Sequence, residues 1–310
     1  MLDTEKLRKD YEKDGFAILR KVIDPELIME ARAHVEWLAV RYPELRPEEY
    51  HHPLMRNDAF WVRMVADVRL TSIAEVFLGP DIACFTAHYI CKPPGDGWPV
   101  LWHQDGSYWK LDPMEALTVW LAIDESTVAN GCLRMAPGSH LIPLYQPVSR
   151  TDVPNMLFSA CDPAVVREWS ERADVVAVEL EAGDVSIHHP HLLHYSEANK
   201  SPTRRCGLDI GYMPATTRIS NEGLYLDPLL VRGEPTPGIN IYRQYPAWTA
   251  GETIPFAGDT EWNDRAAQIN MKHGFRHLDR AETPFEITRR MIARLKEGTV
   301  KQQPRREQDL

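Results

Sequence analysis

From Ile82 onward the chain becomes a series of short strand-forming runs punctuated by turn signals, and this limits the fold more than any other feature. Residues 82–92 are rich in β-formers, and 117–123 (Leu-Thr-Val-Trp-Leu-Ala-Ile) are mostly apolar, as a buried strand would be. Further runs at 132–135, 175–180, 185–188 and 205–213 complete the set. Pro137-Gly138-Ser139-His140 reads as a turn, and one longer excursion occupies about 143–172. Strands spaced in this way predict an antiparallel double-sheet jelly roll, mainly β, with helices packed outside it.

Those helices are expected in the first 80 residues. Residues 4–14 read as a polar helix and 16–19 as a first strand. Asp24-Pro25-Glu26 is a helix start, a capping carboxylate followed by proline in the first turn. Leu27, Ile28, Ala31, Val35, Leu38 and Val40 carry helical spacing to about Arg41. Two more helices are predicted at 57–66 and 69–78, closed by Gly79-Pro80. Residues 215–260 hold many Pro and Gly without periodicity, which suggests a functional cover or a partly mobile segment. Residues 286–295 read as a helix and 301–310 as a frayed polar tail.

With 44% apolar and 26% charged residues, the chain has the composition of an ordinary globular protein. A net charge of −10 argues against nucleic acid or an anionic membrane as the main partner. No apolar run reaches membrane-spanning length and MLDTEKLRKDYEKDG has no apolar export core, so a cytoplasmic location is expected. Cys84, Cys91, Cys132, Cys161 and Cys206 are odd in number and lack CxxC spacing, which argues against disulfides and structural zinc. They read as small core residues of a reducing compartment.

His103 and Asp105 stand two apart, so on an extended strand both side chains leave the same face. Aspartate is a poor residue in a buried strand unless a cation satisfies it. A second imidazole must come from elsewhere, and the run 188–194 offers His188, His189, His191 and His194. Only His194 is followed at +2 by Ser196 and at +11 by Arg205; the same count reaches Pro202 from His191 and Lys200 from His189. Lysine lacks the planar fork that grips a carboxylate in two places. His188, His189 and His191 are therefore expected as supporting, core or surface residues. Two imidazoles and one carboxylate cap one face of Fe(II) and leave adjacent positions open for a chelating co-substrate and dioxygen. An arginine on the following strand can hold the far carboxylate of that co-substrate. Arg204 and Arg205 are neighbours, and neighbours on a strand face opposite ways, so only one can enter the pocket.

Taken together, these segments resemble the phytanoyl-CoA dioxygenase (PhyH-like) family of Fe(II)/2-oxoglutarate-dependent oxygenases over roughly residues 10–215. The resemblance rests on Asp14-Gly15-Phe16, Trp102-His103-Gln104-Asp105, residues 118–124 with Asn130-Gly131-Cys132-Leu133, and the Pro137-to-His140 turn. Ala182-Gly183-Asp184-Val185, leading to His194-Tyr195-Ser196 and Asn199, completes it. It implies a double-stranded β-helix of cupin-like form with iron on His103, Asp105 and His194, and with 2-oxoglutarate and O2 as co-substrates. It further implies that Arg205 pairs with the distal carboxylate of 2-oxoglutarate and that Ser196 hydrogen-bonds to it. Trp109 would line the co-substrate pocket and Thr118 would add a further hydrogen bond. The implied reaction hydroxylates or otherwise oxidises an unactivated C–H bond and releases succinate and CO2. Residues 1–310 are expected to form one catalytic domain, with helical support at 1–80, the jelly-roll core at 81–214, and a covering segment with a C-terminal helix at 215–300.

Substrate signals are thinner. Trp98, Trp102, Tyr108, Met135 and Tyr212 lie near the motifs and would suit an aromatic cleft for a small organic molecule. Arg218, Tyr242 and Arg243 would either close over an anionic group or remain solvated loop residues. Two rival readings share the fold: a 2-oxoglutarate-independent cupin-type metal enzyme, with no use for Arg205, and a non-catalytic ligand-binding protein, with no need of an open iron face.

Overall fold

The computed structural model describes residues 3–55, 58–172, 174–220, 227–243 and 283–297. Six strands build the major sheet in the order Phe16–Leu19, Val185–His188, Leu117–Ala122, Arg205–Pro214, Ile82–Lys92 and Leu229–Arg232, every neighbouring pair antiparallel. Four shorter strands, Val100–His103, His194–Ser196, Leu133–Met135 and Val176–Val178, form a second sheet. The jelly roll expected from the spacing of strand-like runs is present.

Alternation across the major sheet sorts its residues into two layers. Val119, Leu121, Val185, Ile187, Leu208, Ile210 and Tyr212 join a large core with Leu27, Leu38, Trp61 and Leu70 of the N-terminal helices. Trp120 and Ala122 face the other way and pack with Leu133, Met135 and Val178 of the second sheet. Gly207 shares that inner face, and a Cβ there would lie 2.0 Å from the Trp120 ring. Only glycine lets the indole lie flat against the strand.

The helix Pro25–Arg41 starts where Asp24 accepts the Leu27 amide at 2.8 Å, and it buries Leu27, Ile28, Ala31, His34, Val35 and Leu38. Val40, counted in that stripe from the sequence, is 82% exposed. Thirteen residues beyond Leu27, at about 100° each, it falls on the opposite face. The helix expected at 57–66 is Ala59–Val65, capped by Asp58, with a separate turn of helix at His52–Met55. Val68–Leu78 follows almost directly. The excursion at 143–172 contains the helix Pro163–Ser170, started by Asp162 in the same Asp-Pro manner as Pro25–Arg41. All five cysteines are buried and none forms a disulfide. No helix among the described residues is long and apolar enough to cross a membrane.

The expectation that 215–260 is wholly irregular is corrected in part. Arg218–Ile219 pairs with Leu111–Asp112, and Leu229–Arg232 extends the major sheet beside Ile82–Lys92. A four-residue strand is too short to display a period, so a Pro- and Gly-rich background hid it. The C-terminal helix Pro284–Lys296 carries a Thr283/Glu286 capping box, and Phe285 stacks on Tyr42 at 5.9 Å. The tail at 301–310 and the part of the cover from 244 to 260 lie outside the described residues.

Burial pushes His34 and His51 down to about 3 from the usual 6.5. The unfolded chain takes up those protons near pH 6.5, whereas the folded chain stays neutral until about pH 3. Between these limits the unfolded state binds more protons, so stability falls as the pH drops through 6.5. Urea melts from pH 8 to pH 5 are expected to be flat at first. Below pH 6.5 they should lose stability by on the order of 1 kcal/mol per pH unit for each of these histidines, with His88 and His189, also lowered by burial, adding to the slope. A His34→Phe protein should show a shallower slope; an unchanged slope would remove His34 from the account.

Candidate metal centre and co-substrate pocket

His103 closes the strand Val100–His103, and His194 opens the strand His194–Ser196. The two residues are cross-strand partners, with ring centroids 4.1 Å apart. Asp105 does not continue the first strand, contrary to the same-face argument made from its spacing. It begins a 3-10 turn, Asp105–Tyr108. Gly106 donates to the Pro190 carbonyl at 2.9 Å and so pins this turn against the loop before His194. Gln104 adds to the hold: its amide donates to the Pro143 and His191 carbonyls and its oxygen accepts the Tyr145 amide. A turn, and not pleat alternation, brings the carboxylate to the imidazoles.

One ligand atom from each of His103, Asp105 and His194 lies within 4.8 Å of the other two. The His103 Nδ1 donates to the Leu101 carbonyl at 2.8 Å, and the His194 Nδ1 to the Leu192 carbonyl at 3.0 Å. A carbonyl only accepts, so both Nδ1 atoms carry hydrogen, which leaves each Nε2 as the atom able to give its lone pair to a metal. Those two Nε2 atoms sit 3.3 and 3.5 Å from Asp105 Oδ1. Burial, then repulsion from His103, pushes His194 well below its usual range. Burial opposes ionisation of Asp105, but His194, His103 and His188 outweigh it and hold that carboxyl well below the usual carboxylate range. Two lone pairs and a carboxylate oxygen converging in a buried site call for a cation, and this donor set suits Fe(II).

The second oxygen of Asp105 is held separately. Thr118 donates its hydroxyl to Oδ2 at 2.7 Å, and the His188 Nε2 donates to the same atom at 2.9 Å. Thr118, given by resemblance a bond to the co-substrate, therefore directs its one hydroxyl proton to Asp105. His188, left open as a supporting, core or surface histidine, is fully buried and aims the carboxylate. Its signal lay in the register: His188 stands directly opposite Thr118 on the adjoining strand. Partners of this kind typically change metal affinity by about 10- to 100-fold. His188→Leu should weaken Fe(II) binding by that range in calorimetry while leaving 2-oxoglutarate affinity at saturating iron nearly unchanged. Wild-type iron affinity would remove the role.

Arg205 turns inward and is completely buried, whereas Arg204 turns outward to ion pairs with Asp124 and Glu36. The guanidinium of Arg205 lies 4.8 Å over the Trp120 ring, and its one hydrogen bond is a long one, 3.5 Å, to the Ile90 carbonyl. Its Nε and Nη2 have no partner. Burial pulls its pKa down to about 10. Lys92, its cross-strand neighbour, is equally buried. The Lys92 Nζ donates to Ser196 Oγ at 2.7 Å and to the Ser196 and Glu197 carbonyls. Because Ser196 Oγ accepts from Lys92, its own proton remains available to a ligand. The buried Arg205 guanidinium, with two unused nitrogens, and the free hydroxyl proton of Ser196 fit a carboxylate supplied from outside. Lys92 is absent from the site residues expected above, although a lysine ending an apolar strand is a signal visible in the sequence.

Trp109 is partly buried, edge-to-face with Phe85 at 4.9 Å, in a cluster with Leu111, Met213 and Tyr242. The aromatic residues named for a substrate cleft divide. Tyr108 packs edge-on to His103 at 6.2 Å and bonds to Ser159, and Met135 packs on the inner face opposite His194. Trp102 instead stacks on Tyr195 at 4.2 Å, and both residues alternate with the histidines and so face away from them. Tyr212 belongs to the helix-side core and donates to the Val65 carbonyl. Trp98 lies beneath Arg46, 4.6 Å from its guanidinium. Arg218 is committed to the Gly238 and Ile239 carbonyls, Tyr242 to the Ala215 carbonyl, and the Arg243 amide to the Pro228 carbonyl. A separate cleft of about 630 Å³, near Tyr50, Asp124 and Arg204, lies on the other side of the sheet from the triad.

The profile of the family described as "Phytanoyl-CoA dioxygenase (PhyH)" matches residues 11–207, well over half of the chain. The chain belongs to the phytanoyl-CoA dioxygenase family. Among curated members, "Phytanoyl-CoA dioxygenase" of Arabidopsis thaliana is 37% identical over 154 residues, 50% of this chain and 52% of that protein. "Probable alpha-ketoglutarate-dependent hypophosphite dioxygenase" of Stutzerimonas stutzeri is 32% identical over 181 residues, 56% of this chain and 60% of that protein. The chain thus spans about half to three fifths of these relatives. In fold it is similar to EctD from S. alaskensis with bound Fe, with a TM-score of 0.60, 20% identity, and coverage of 76% of this chain and 88% of that one. It is also similar to the epimerase SnoN in complex with Fe3+, alpha ketoglutarate and nogalamycin RO, with a TM-score of 0.57, 22% identity, and coverage of 76% and 96%.

Proposed function

We propose that this phytanoyl-CoA dioxygenase family member is an Fe(II)/2-oxoglutarate-dependent dioxygenase that hydroxylates an unactivated C–H bond of a small organic molecule, releasing succinate and CO2. The reading rests on two imidazoles, each tied through Nδ1 to a carbonyl, whose Nε2 atoms meet one carboxylate, beside a fully buried arginine with two nitrogens unpartnered among the described residues. His103, Asp105 and His194 would hold the iron. Bound together, iron and 2-oxoglutarate supply the oxidant: dioxygen is consumed, the oxo acid is decarboxylated, and one oxygen atom goes to the substrate. The chain itself contributes orientation and exclusion of water. Arg205 would hold the distal carboxylate of 2-oxoglutarate and Ser196 would donate its free proton to it, while Lys92 holds Ser196 in place. Trp120 supports the guanidinium from below. Trp109 borders the pocket beside Phe85, and Thr118 with His188 aims Asp105 at the metal.

A small-molecule substrate is supported by relatives such as "Ectoine dioxygenase" of Bordetella parapertussis, 26% identical over 225 residues. Residues 1–310 would act as one catalytic unit: helical support at 1–80, the jelly-roll core at 81–214, and a cover with the C-terminal helix at 215–300. An enzyme indifferent to 2-oxoglutarate would gain nothing from the free nitrogens of Arg205. The deciding experiment is anaerobic titration of the protein with Fe(II) and 2-oxoglutarate, watching for the weak visible charge-transfer band of the chelate. The band should saturate at one equivalent of each, and admission of air should yield succinate. A protein that binds iron but forms no band and no succinate would refute the reading.

A further inference from the structure

The strand Arg205–Pro214 is internal to the major sheet, flanked by Leu117–Ala122 and Ile82–Lys92. Its inner face carries Arg205, Gly207, Asp209 and Gly211 in succession, while Cys206, Leu208 and Ile210 lie in the helix-side core. Asp209 is therefore a lone carboxyl between two glycines, with Trp120 opposite on one side and His88 on the other. Both Asp209 and His88 keep partial exposure although they lie mid-sheet, on the face that carries Arg205 and Thr118. Neither side chain makes a hydrogen bond among the described residues, while Thr118, the inner-face residue two before Trp120, already holds Asp105. The His51 ring stands edge-on to His88 at 5.8 Å.

A carboxyl with two free oxygens on the inner face of a sheet needs a partner, and the described residues provide none. Burial, then the negative charge of Asp105, raises Asp209 well above the usual carboxylate range, with Arg205 opposing. In the loaded enzyme, iron would neutralise Asp105 and the co-substrate would occupy Arg205. Among the described residues Asp209 would then be an acid left without a compensating charge. The imidazoles beside it add neutral acceptors and a ring face, both of which suit a cation.

We propose that Asp209, with His88 beside it, is the specificity-determining subsite of the substrate chamber and selects a small molecule carrying a cationic nitrogen group of the guanidinium or ammonium class. The inference rests on the iron and 2-oxoglutarate reading above and adds the substrate's charge to it. Butylguanidinium and its neutral isostere N-butylurea serve as probes, because neither is a good iron ligand. Each is titrated into the anaerobic Fe(II)·2-oxoglutarate holoenzyme, with binding read by equilibrium dialysis and by perturbation of the charge-transfer band. The cation should bind at least about tenfold more tightly than the urea. Asp209→Asn should reduce the preference to within about twofold while the chelate band still forms, and His88→Gln should give an intermediate value. Equal binding of the two probes by the unaltered protein, or a preference that survives Asp209→Asn with the band intact, overturns the proposal. Failure of the unaltered protein to form the band would instead strike the functional reading itself, and this inference with it.

Discussion

Asp105→Asn is expected to lower Fe(II) affinity at least about 100-fold and to abolish succinate formation, with the fold intact. The carboxylate supplies the only formal negative charge in the triad, and both its oxygens are assigned: Oδ1 faces the two histidine Nε2 atoms, and Oδ2 accepts from Thr118 and His188. Loss of a supporting partner costs roughly 10- to 100-fold in metal affinity, and loss of a ligand costs more. The amide keeps one acceptor for Thr118 and His188, so thermal stability without metal should change little. Asp105→Ala removes both acceptors and leaves two buried donors unsatisfied, at about 1–3 kcal/mol each, so it should also destabilise the protein. The pair of variants separates metal binding from folding. Calorimetry with Fe(II) under argon and melts in the presence of chelator read the two effects, and near-wild-type iron affinity in Asp105→Asn would dismiss the triad.

Arg205→Met should move stability and binding in opposite directions. In the absence of co-substrate the arginine is a buried cation with two unpaired nitrogens, and replacing such a group by an apolar one of similar length is often stabilising by about 1–4 kcal/mol. The melting temperature without ligand is therefore expected to rise by a few degrees. Losing one partner of a buried charge pair typically costs about 2–5 kcal/mol, so 2-oxoglutarate affinity should fall roughly 10²- to 10³-fold. The thermal shift that saturating 2-oxoglutarate produces in the metal-loaded protein should vanish accordingly. Arg204→Met is the control. It breaks the ion pairs to Asp124 and Glu36 and should leave co-substrate affinity alone. Unchanged affinity in Arg205→Met with a loss in Arg204→Met would mean that the wrong arginine has been assigned.

Much of this was legible in one dimension. Strand-like runs between turn signals, Asp-Pro helix starts and the spacing from His194 to Ser196 and Arg205 were enough to expect a jelly roll, a histidine–carboxylate set and an inward-facing arginine. Such features are local, set by backbone propensity, capping and alternation, and these act over a few residues. The four-residue strand Leu229–Arg232 escaped notice because it holds no full period and lies among prolines and glycines.

What the order of residues could not decide was which side chains meet across strands. His188 aims Asp105, Lys92 holds Ser196, and Thr118 bonds to the carboxylate in place of the co-substrate, all through register between segments far apart in the chain. The route of Asp105 into the triad through a 3-10 turn, and the facing pair of Asp209 and His88, are of the same kind. Composition and spacing determined the fold and the types of ligand, because those follow from short-range chemistry. Pairing between distant strands decided which groups are buried together, because a buried polar atom takes its partner from wherever packing delivers one.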